Sequence, residues 1–179
     1  MMDSNLYIAD AAYRELVAHL FEGDDEQVAF LFAEYNENGP DHGFHFRQAY
    51  LVPPSAFDFQ SSYHIALADE AWAQIIKTAW DTGTCPIEVH SHRGTEFPPA
   101  FSGSDFFGFK KTVPHVRWRL RGRPYAALVF TPDGYDGLVW KGADNEATAV
   151  GSIVLDDQIL RPSGLSINYL TDDYEHREI

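Results

Sequence analysis

Two histidines and an aspartate stand close together in this sequence, in the order His90, Ser91, His92, Ser102 and Asp105. Imidazole and carboxylate groups are common zinc ligands, and catalytic zinc sites use three protein ligands so that water can occupy the fourth position. In an extended strand alternate side chains share a face, so His90 and His92 point the same way and Ser91 points away. An aspartate from the first turn of a following helix would complete the set. These residues predict a catalytic site that holds one zinc ion per chain.

Each of these residues also has an ordinary structural interpretation. His90 and His92 would be strand histidines bonded to backbone groups, and Ser102 would be a helix N-cap. Asp105 would then be a first-turn residue that favours the positive end of the helix dipole. Because all of them occur together at this spacing, we favour metal ligation.

A hydrolytic zinc site needs a general base as well as ligands. The glutamates considered are Glu26 and Glu34, which bracket the apolar segment QVAFLFA, and Glu88, two residues before His90. Glu88 shares the histidine face of its strand, but a strand-end carboxylate is its favoured role. Glu26 lies at the entrance to a strand, where its side chain can emerge toward a site. We therefore choose Glu26 as the base and keep Glu34 as the alternative.

The elements that must position these residues follow from hydrophobic periodicity and turn signals. Helices are predicted over 10–22 and 69–82, capped by Asp10 and Asp69, and a third is predicted to begin at Ser102 and end before or near Pro114. Strands are predicted over 27–35, 44–52, 62–67, 86–92, 124–130, 137–141 and 150–160. This interleaving predicts one α+β or α/β domain over residues 1–179, with a mixed sheet flanked by helices and a polar tail from about residue 170 that frays.

Composition narrows the classes of function. The chain has 179 residues and a formal net charge of −14, which argues against nucleic-acid binding. The four arginines between Arg117 and Arg123 are interpreted as a solvated strand or helix end. The single Cys85 excludes an internal disulfide and favours a reducing compartment. No membrane-spanning segment or secretory leader is evident, so the cytoplasm is expected.

The order of Glu26, then H-S-H, then S-x-x-D resembles the JAMM motif of the MPN+ zinc metalloproteases of the Mov34/PAD-1 type. An acidic residue opens a strand after an N-terminal helix in that family, and Glu26 stands in the corresponding place here. The resemblance covers roughly residues 8–141 and is similar to the stand-alone prokaryotic, deubiquitinase-like members. It implies an MPN/JAB-type fold, in which a mixed central sheet is flanked by helices.

The resemblance also implies roles for the motif residues. His90, His92 and Asp105 would bind zinc, with water in the fourth position. Glu26 would accept the proton of that water and deliver it to the departing amine, and Ser102 would hydrogen-bond the oxyanion. The substrates would be isopeptide or peptide bonds after the C-terminal glycine of a ubiquitin-like protein, whose conjugates and E1/E2-like conjugation system would be the partners.

Phe57 and Phe59 lie in the segment PPSAFDFQSS, where the family places an insertion that grips its ubiquitin-like partner. Ordinary loop packing is the alternative for both. Two other functions remain open at this point. One is a non-catalytic MPN scaffold that binds protein partners, and the other is a zinc amidohydrolase of small amides or sulfur-carrier adducts.

Overall fold

The computed structural model describes residues 3–175, which contain ten β-strands and four α-helices. The strands are β1 (Ser4–Tyr7), β2 (Val28–Asn36), β3 (Gly43–Leu51), β4 (Phe57–Gln60), β5 (Ile65–Leu67), β6 (Cys85–Ser91), β7 (Tyr125–Thr131), β8 (Gly134–Trp140), β9 (Ala147–Val154) and β10 (Ile159–Leu160). The helices are α1 (Asp10–Leu20), α2 (Asp69–Thr82), α3 (Gly103–Arg119) and α4 (Leu165–Glu175).

The main sheet closes on itself. Its strand order is β1-β3-β2-β6-β7-β8-β9-β10, and β1 pairs in parallel with both β3 and β9. The first seven strands of this order form a mixed barrel, and the short β10 pairs with the end of β9. The expected MPN-type sheet flanked by helices is therefore wrong. Without β1, strands β3 and β9 would be the exposed edges of an open sheet. Because β1 forms hydrogen bonds with both, neither edge is exposed.

The inside of the barrel is one apolar core. It draws side chains from all seven barrel strands, among them Leu31, Val89 and Leu128. Helix α1 belongs to the same core, because Leu16 and Leu20 pack against it. Strand alternation sends the neighbouring side chains outward.

A second core lies on the outside of the barrel, where α2 and α3 cover β2 and β7. It contains Ile75 and Ala79 of α2 and Val113 and Val116 of α3. Val28, which pairs with His90 across the strands, also belongs to it. Residues directly opposite on paired strands point to the same face, so His90 lies on this outer face.

Several element boundaries differ from the predictions. Asp10 and Asp69 are the first residues of α1 and α2, and Ala9 and Ala68 are the N-caps. Helix α3 continues through Pro114, because its buried residues on both sides of the proline keep it packed on the outer core. Strands β1 and β4 and helix α4 were not predicted. The expected tail enters α4, and its residues 176–179 lie outside the described ones.

None of the helices in the described range combines the length and the apolar character that crossing a bilayer requires.

Candidate metal centre

Strand β6 presents His90 and His92 on one face, as period-two alternation predicts. The His92 backbone N–H donates to the Phe130 carbonyl at 2.8 Å, which keeps the segment extended one residue beyond the strand. The two imidazole rings have centroids 4.9 Å apart. His90 is almost fully buried and its ring packs against Phe101, whereas the His92 side chain is 24% exposed.

Helix α3 brings Asp105 to the histidines through its N-terminal capping box. Ser102 is the N-cap, and its hydroxyl accepts a hydrogen bond from the Asp105 backbone N–H at 3.2 Å. In return Asp105 Oδ2 accepts bonds from the Ser102 backbone N–H at 2.7 Å and from the Ser102 hydroxyl at 2.8 Å. This reciprocal arrangement fixes the carboxylate at the helix entrance.

The three candidate ligands converge on one point. The Nε2 atoms of His90 and His92 are 3.2 Å apart, and they lie 3.4 Å and 3.3 Å from the Oδ1 and Oδ2 atoms of Asp105, respectively. Zinc–ligand distances of about 2.0–2.1 Å at tetrahedral angles separate neighbouring ligand atoms by roughly 3.3 Å. The donor set and its spacing therefore fit a zinc ion with three protein ligands.

Within the described chain, the second ring nitrogen of His90, Nδ1, lacks the hydrogen bond that is usual for a ligating histidine. Ligating histidines commonly donate that second N–H to a carboxylate or carbonyl. Here Nδ1 of His90 is buried and has no hydrogen-bond partner in the described part of the chain. The ring is oriented by packing against Phe101 instead.

The charges of the three groups are strongly interdependent. Burial acts to raise the pKa of Asp105, but hydrogen bonds from His90 and His92 outweigh it and hold that pKa well below its usual range. Burial acts to lower the pKa of His90, but Asp105, together with the charges of Glu88 and Glu26, more than reverses this, so the His90 pKa is raised. A cation bound between these groups would take the place of the proton that this cluster attracts.

Glu26 lies across from His92. The β2–β6 pairing sets Val28 opposite His90, and continuing the same register sets Glu26 opposite His92 on the outer face. Its backbone is held by Ser61 and Gln60, which bond its N–H and its carbonyl at 2.8 Å and 2.9 Å. Burial raises the pKa of the Glu26 carboxyl, although the nearby histidine charges oppose the shift.

Other predicted candidates lie elsewhere or have other partners. Glu34 lies at the far end of β2, opposite His45, and its exposed carboxylate pairs with Arg47 at 2.7 Å. Glu88 accepts a hydrogen bond of 2.6 Å from the Tyr125 hydroxyl, and burial raises its pKa. Of the glutamates considered, Glu26 is the one that lines the cleft at the histidine pair.

A cleft of about 440 Å³ opens over the cluster and is bordered by α3 and by the β4–β5 hairpin. Phe57 packs against the outer core and Phe59 is 47% exposed, but neither lines this cleft. Tyr63 at the hairpin turn and Phe107 of α3 line it instead and are largely exposed.

Sequence reasoning did not find the residues that hold Glu26 in place. The buried Ser91 hydroxyl accepts a hydrogen bond from the Gln27 backbone N–H at 3.0 Å, directly beside Glu26. Alternation had shown that Ser91 points away from the metal ligands, but the contact with Gln27 depends on a strand pairing that one sequence does not display. The Gln60 contact depends on the fold of the hairpin in the same way.

Comparison with known proteins gives a fold and no family. No protein-family model and no curated protein matches the sequence. The fold is similar to the solution structure of protein DSY2949 from Desulfitobacterium hafniense, with a TM-score of 0.53 and 16% sequence identity. That match covers 86% of this chain and 94% of the other. At this identity the similarity shows the fold alone.

Proposed function

We propose that this protein is a zinc-dependent isopeptidase or peptidase that cleaves after the C-terminal glycine of a ubiquitin-like protein. One observation carries the proposal. The Nε2 atoms of His90 and His92 lie 3.2 Å apart, and each lies 3.3–3.4 Å from one carboxylate oxygen of Asp105. The buried Glu26 lies on the same face of the neighbouring chain segment. Three ligands leave one coordination position open, which is the arrangement that distinguishes catalytic from structural zinc sites.

A bound zinc ion would supply Lewis acidity toward a carbonyl oxygen and toward water. Glu26 acts as the general base that accepts a proton from the attacking water. It then acts as the acid that protonates the departing amine. Its raised pKa suits both steps, because a carboxyl with a pKa nearer neutrality is a better proton acceptor and can also return the proton. The Ser102 hydroxyl, turned from Asp105 toward the cleft, would donate a hydrogen bond to the oxyanion.

The shape of the cleft supports an extended substrate tail. Ile65 and Ala66 of β5 line one wall, and within the described chain β5 pairs on one side only, with β4. A glycine-ended tail has no side chains to obstruct a narrow groove and can pair with such an edge. The conjugates of a ubiquitin-like protein, with an associated conjugation system, are the proposed partners. A reducing compartment, the cytoplasm, suits the buried Cys85 thiol.

The test combines metal content with cleavage by matched variants. Purified protein should hold about one zinc per chain and should release a fluorophore joined to the C-terminal glycine of a ubiquitin-like protein. A chelator should stop this reaction, and Asp105→Ala should lose the zinc. Glu26→Gln should keep zinc and lower the rate by at least ~10²-fold, since it removes a base and no ligand.

Glu34→Gln is the control, because it makes the same substitution at an exposed position on β2. Full cleavage by metal-free protein would overturn the proposal. Zinc binding without any hydrolysis would indicate a scaffold. Hydrolysis of small amides in preference to the glycine-ended protein would indicate a small-amide hydrolase.

A further inference from the structure

A groove runs along the outside of the molecule between α2 and α3. It leads away from the cluster of His90, His92 and Asp105, which we call the metal cluster. Its far end is an open pocket of about 730 Å³ beside Trp80 and Trp118. Its middle section, about 340 Å³, shares Ile76 and Arg119 with that pocket. The middle section also shares Lys111 and Thr112 with the cleft over the metal cluster, so the three hollows follow one another along α3.

Exposed basic side chains follow this groove. Lys111, His115 and Arg119 are four residues apart on α3 and so share one helix face. Arg121 continues the series just after the helix. Among the side chains of residues 3–171, no carboxylate lies within 4.0 Å of the cationic groups of Lys111, Arg119 or Arg121. We call the surface formed by these four residues with Trp80 and Trp118 the basic track.

The arginine-rich segment supplies the track with only half of its arginines. Arg117 is buried and donates to the Gly142 carbonyl at 2.7 Å, and Arg123 donates to the Ala79 carbonyl at 2.7 Å. Both have structural roles that explain them. Arg119 and Arg121 are exposed and have no such role, so the interpretation of the segment as solvated applies only to them.

Arg121 occupies a strained position. Its φ of 54° lies in the left-handed region, where glycine is the usual residue after a helix. Its guanidinium lies 5.3 Å from the Trp80 ring centroid, and that of Arg123 lies 5.4 Å from the same ring. A guanidinium already stacked on an aromatic ring loses little freedom when it binds a carboxylate. The unfavourable backbone conformation of Arg121 thus presents a pre-oriented guanidinium. Strained residues of this kind are often found at binding sites.

We propose that the basic track is a docking surface for an acidic polypeptide segment that carries an aromatic or large apolar residue. Charge complementarity identifies the occupant, because unpaired cations line the groove of a chain whose net charge is −14. Trp118 is 75% exposed and offers a stacking face for the apolar residue. Lys111 and Arg119 are eight residues apart on α3, about 12 Å of helix, which matches about four residues of extended chain.

Carboxylates of the protein itself argue against a nucleic acid in this groove. Lys77 is paired with Asp81, and Asp69 lines the middle section. A strand of phosphates would meet the Asp69 carboxylate in the middle section, whereas a peptide can place an uncharged residue there and set apolar residues against Ala73 and Ile76. The proposal concerns binding alone and does not depend on whether the metal cluster is catalytic.

The experiment measures binding of a fluorescent peptide of about eight residues, rich in glutamate and containing one phenylalanine. We expect saturable binding at low salt that weakens as salt is added, because exposed charges are screened. The double variant Arg119→Ala, Arg121→Gly should weaken binding about tenfold or more. Trp118→Ala should also weaken it, and Arg14→Ala, which removes an exposed arginine on α1, should not.

Arg121→Gly separates binding from folding. Glycine suits the left-handed backbone, so this single variant should melt at the same temperature or higher while binding the peptide more weakly. A chelator and Glu26→Gln should leave peptide binding unchanged, which distinguishes failure here from failure of the proposed hydrolysis. The proposal is overturned by absence of saturable binding, by equal binding to the double variant, by loss of binding on chelation, or by tighter binding of a short oligothymidine.

Discussion

The hydroxyl of Ser102 has two possible uses in this site. In the structure it caps α3 and donates to Asp105 Oδ2, which orients a candidate metal ligand. Turned toward the cleft, it would donate to an oxyanion. We predict that Ser102→Ala lowers kcat by ~10²-fold or more at saturating zinc, as loss of one oxyanion donor does. Cleavage rate and zinc content are measured on the same preparation, and Ser102→Thr, which keeps the hydroxyl, should restore much of the rate.

A cap without a catalytic role gives a different pattern. Loss of the cap costs about 1 kcal/mol of stability. If Ser102→Ala lost only that stability, or bound zinc less tightly while keeping its rate at saturating zinc, Ser102 would be a positioning residue for Asp105.

Because of Cys85, we predict that the free energy of unfolding decreases as pH rises in the alkaline range. Burial raises the pKa of its thiol from about 9.0 to about 12, although Arg123 and Arg117 oppose the shift. Below pH 9 the thiol is protonated in both states and has no effect. Between the two pKa values the unfolded chain loses the proton and the folded chain keeps it, so rising pH favours unfolding by about 1.4 kcal/mol per unit.

Comparison with Cys85→Ala isolates this effect from other alkaline titrations. Urea unfolding of both proteins near pH 8 and pH 10 should show a steeper loss of stability for the parent chain. Parallel losses would mean that the thiol ionises in the folded state.

At the residue scale, local geometry carried most of the prediction. The shared face of His90 and His92 and the place of Asp105 in a first turn follow from strand and helix periodicities, and the structure brings the three side chains together. Glu26 reaches them through strand pairing, which one sequence does not display. Its place at the entrance to a strand favoured Glu26 as the base, with Glu34 as the alternative, and the resemblance to a known motif implied the same residue.

At the scale of elements, α3 shows tertiary packing overriding a local signal. Pro114 has no N–H to donate to the Lys110 carbonyl, yet the helix continues to Arg119 because Val113 and Val116 are buried on the outer core. We predict that Pro114→Ala stabilises the protein by ~1–2 kcal/mol, a helix-propensity gain reduced by the greater freedom of the unfolded chain.

Chemical denaturation measures the change, with His115→Ala as the control at the next position, also exposed, on the same helix. That control should change stability by only a few tenths of a kcal/mol. A destabilised Pro114→Ala variant would show instead that the proline ring contributes packing in a separate pocket, which Phe109 and Trp140 also line.

Long apolar strands and strongly periodic helices were predictable, and short elements were not. Strands β2, β3, β6 and β7 and helices α1 and α2 lie close to their predicted ranges. The four-residue β1 (SNLY) and β4 (FDFQ) are too short to show periodicity, and α4 is largely polar. These elements take their structure from the surfaces beside them.

At the scale of the whole molecule, the failure to predict β1 led to the wrong architecture. Without it, β3 and β9 are the edges of an open sheet, and interleaved helices then predict layers. With it, both edges are paired and the sheet is a barrel. The candidate ligands and Glu26 are insensitive to this difference, because they depend on β6, the segment before β2 and the start of α3. The predicted side chains therefore cluster although the fold prediction was wrong.

Two glycines let β1 enter the seam between β3 and β9. A Cβ on Gly43 of β3 would overlap the Asn5 backbone, and one on Gly151 of β9 would overlap the Asn5 side chain and lie 3.0 Å from Ser4 backbone atoms. Gly43 also has a φ of 131°, so Gly151 gives the cleaner test. We predict that Gly151→Ala destabilises the protein by ~1–3 kcal/mol, because the seam is overpacked and the bond from the Ser152 N–H to Asn5 Oδ1 is strained.

Urea unfolding measures this loss, and amide hydrogen exchange shows where it arises. Protection should fall first in β1 and in the parts of β3 and β9 that pair with it, while β6 and β7 keep theirs. Gly94→Ala is the matched control, since its Cβ would meet no atom within 4 Å, and its stability should be unchanged or slightly higher. Uniform loss of protection across the barrel would show that closure by β1 is cooperative with the rest of the sheet, and unchanged stability would show that the seam tolerates opening.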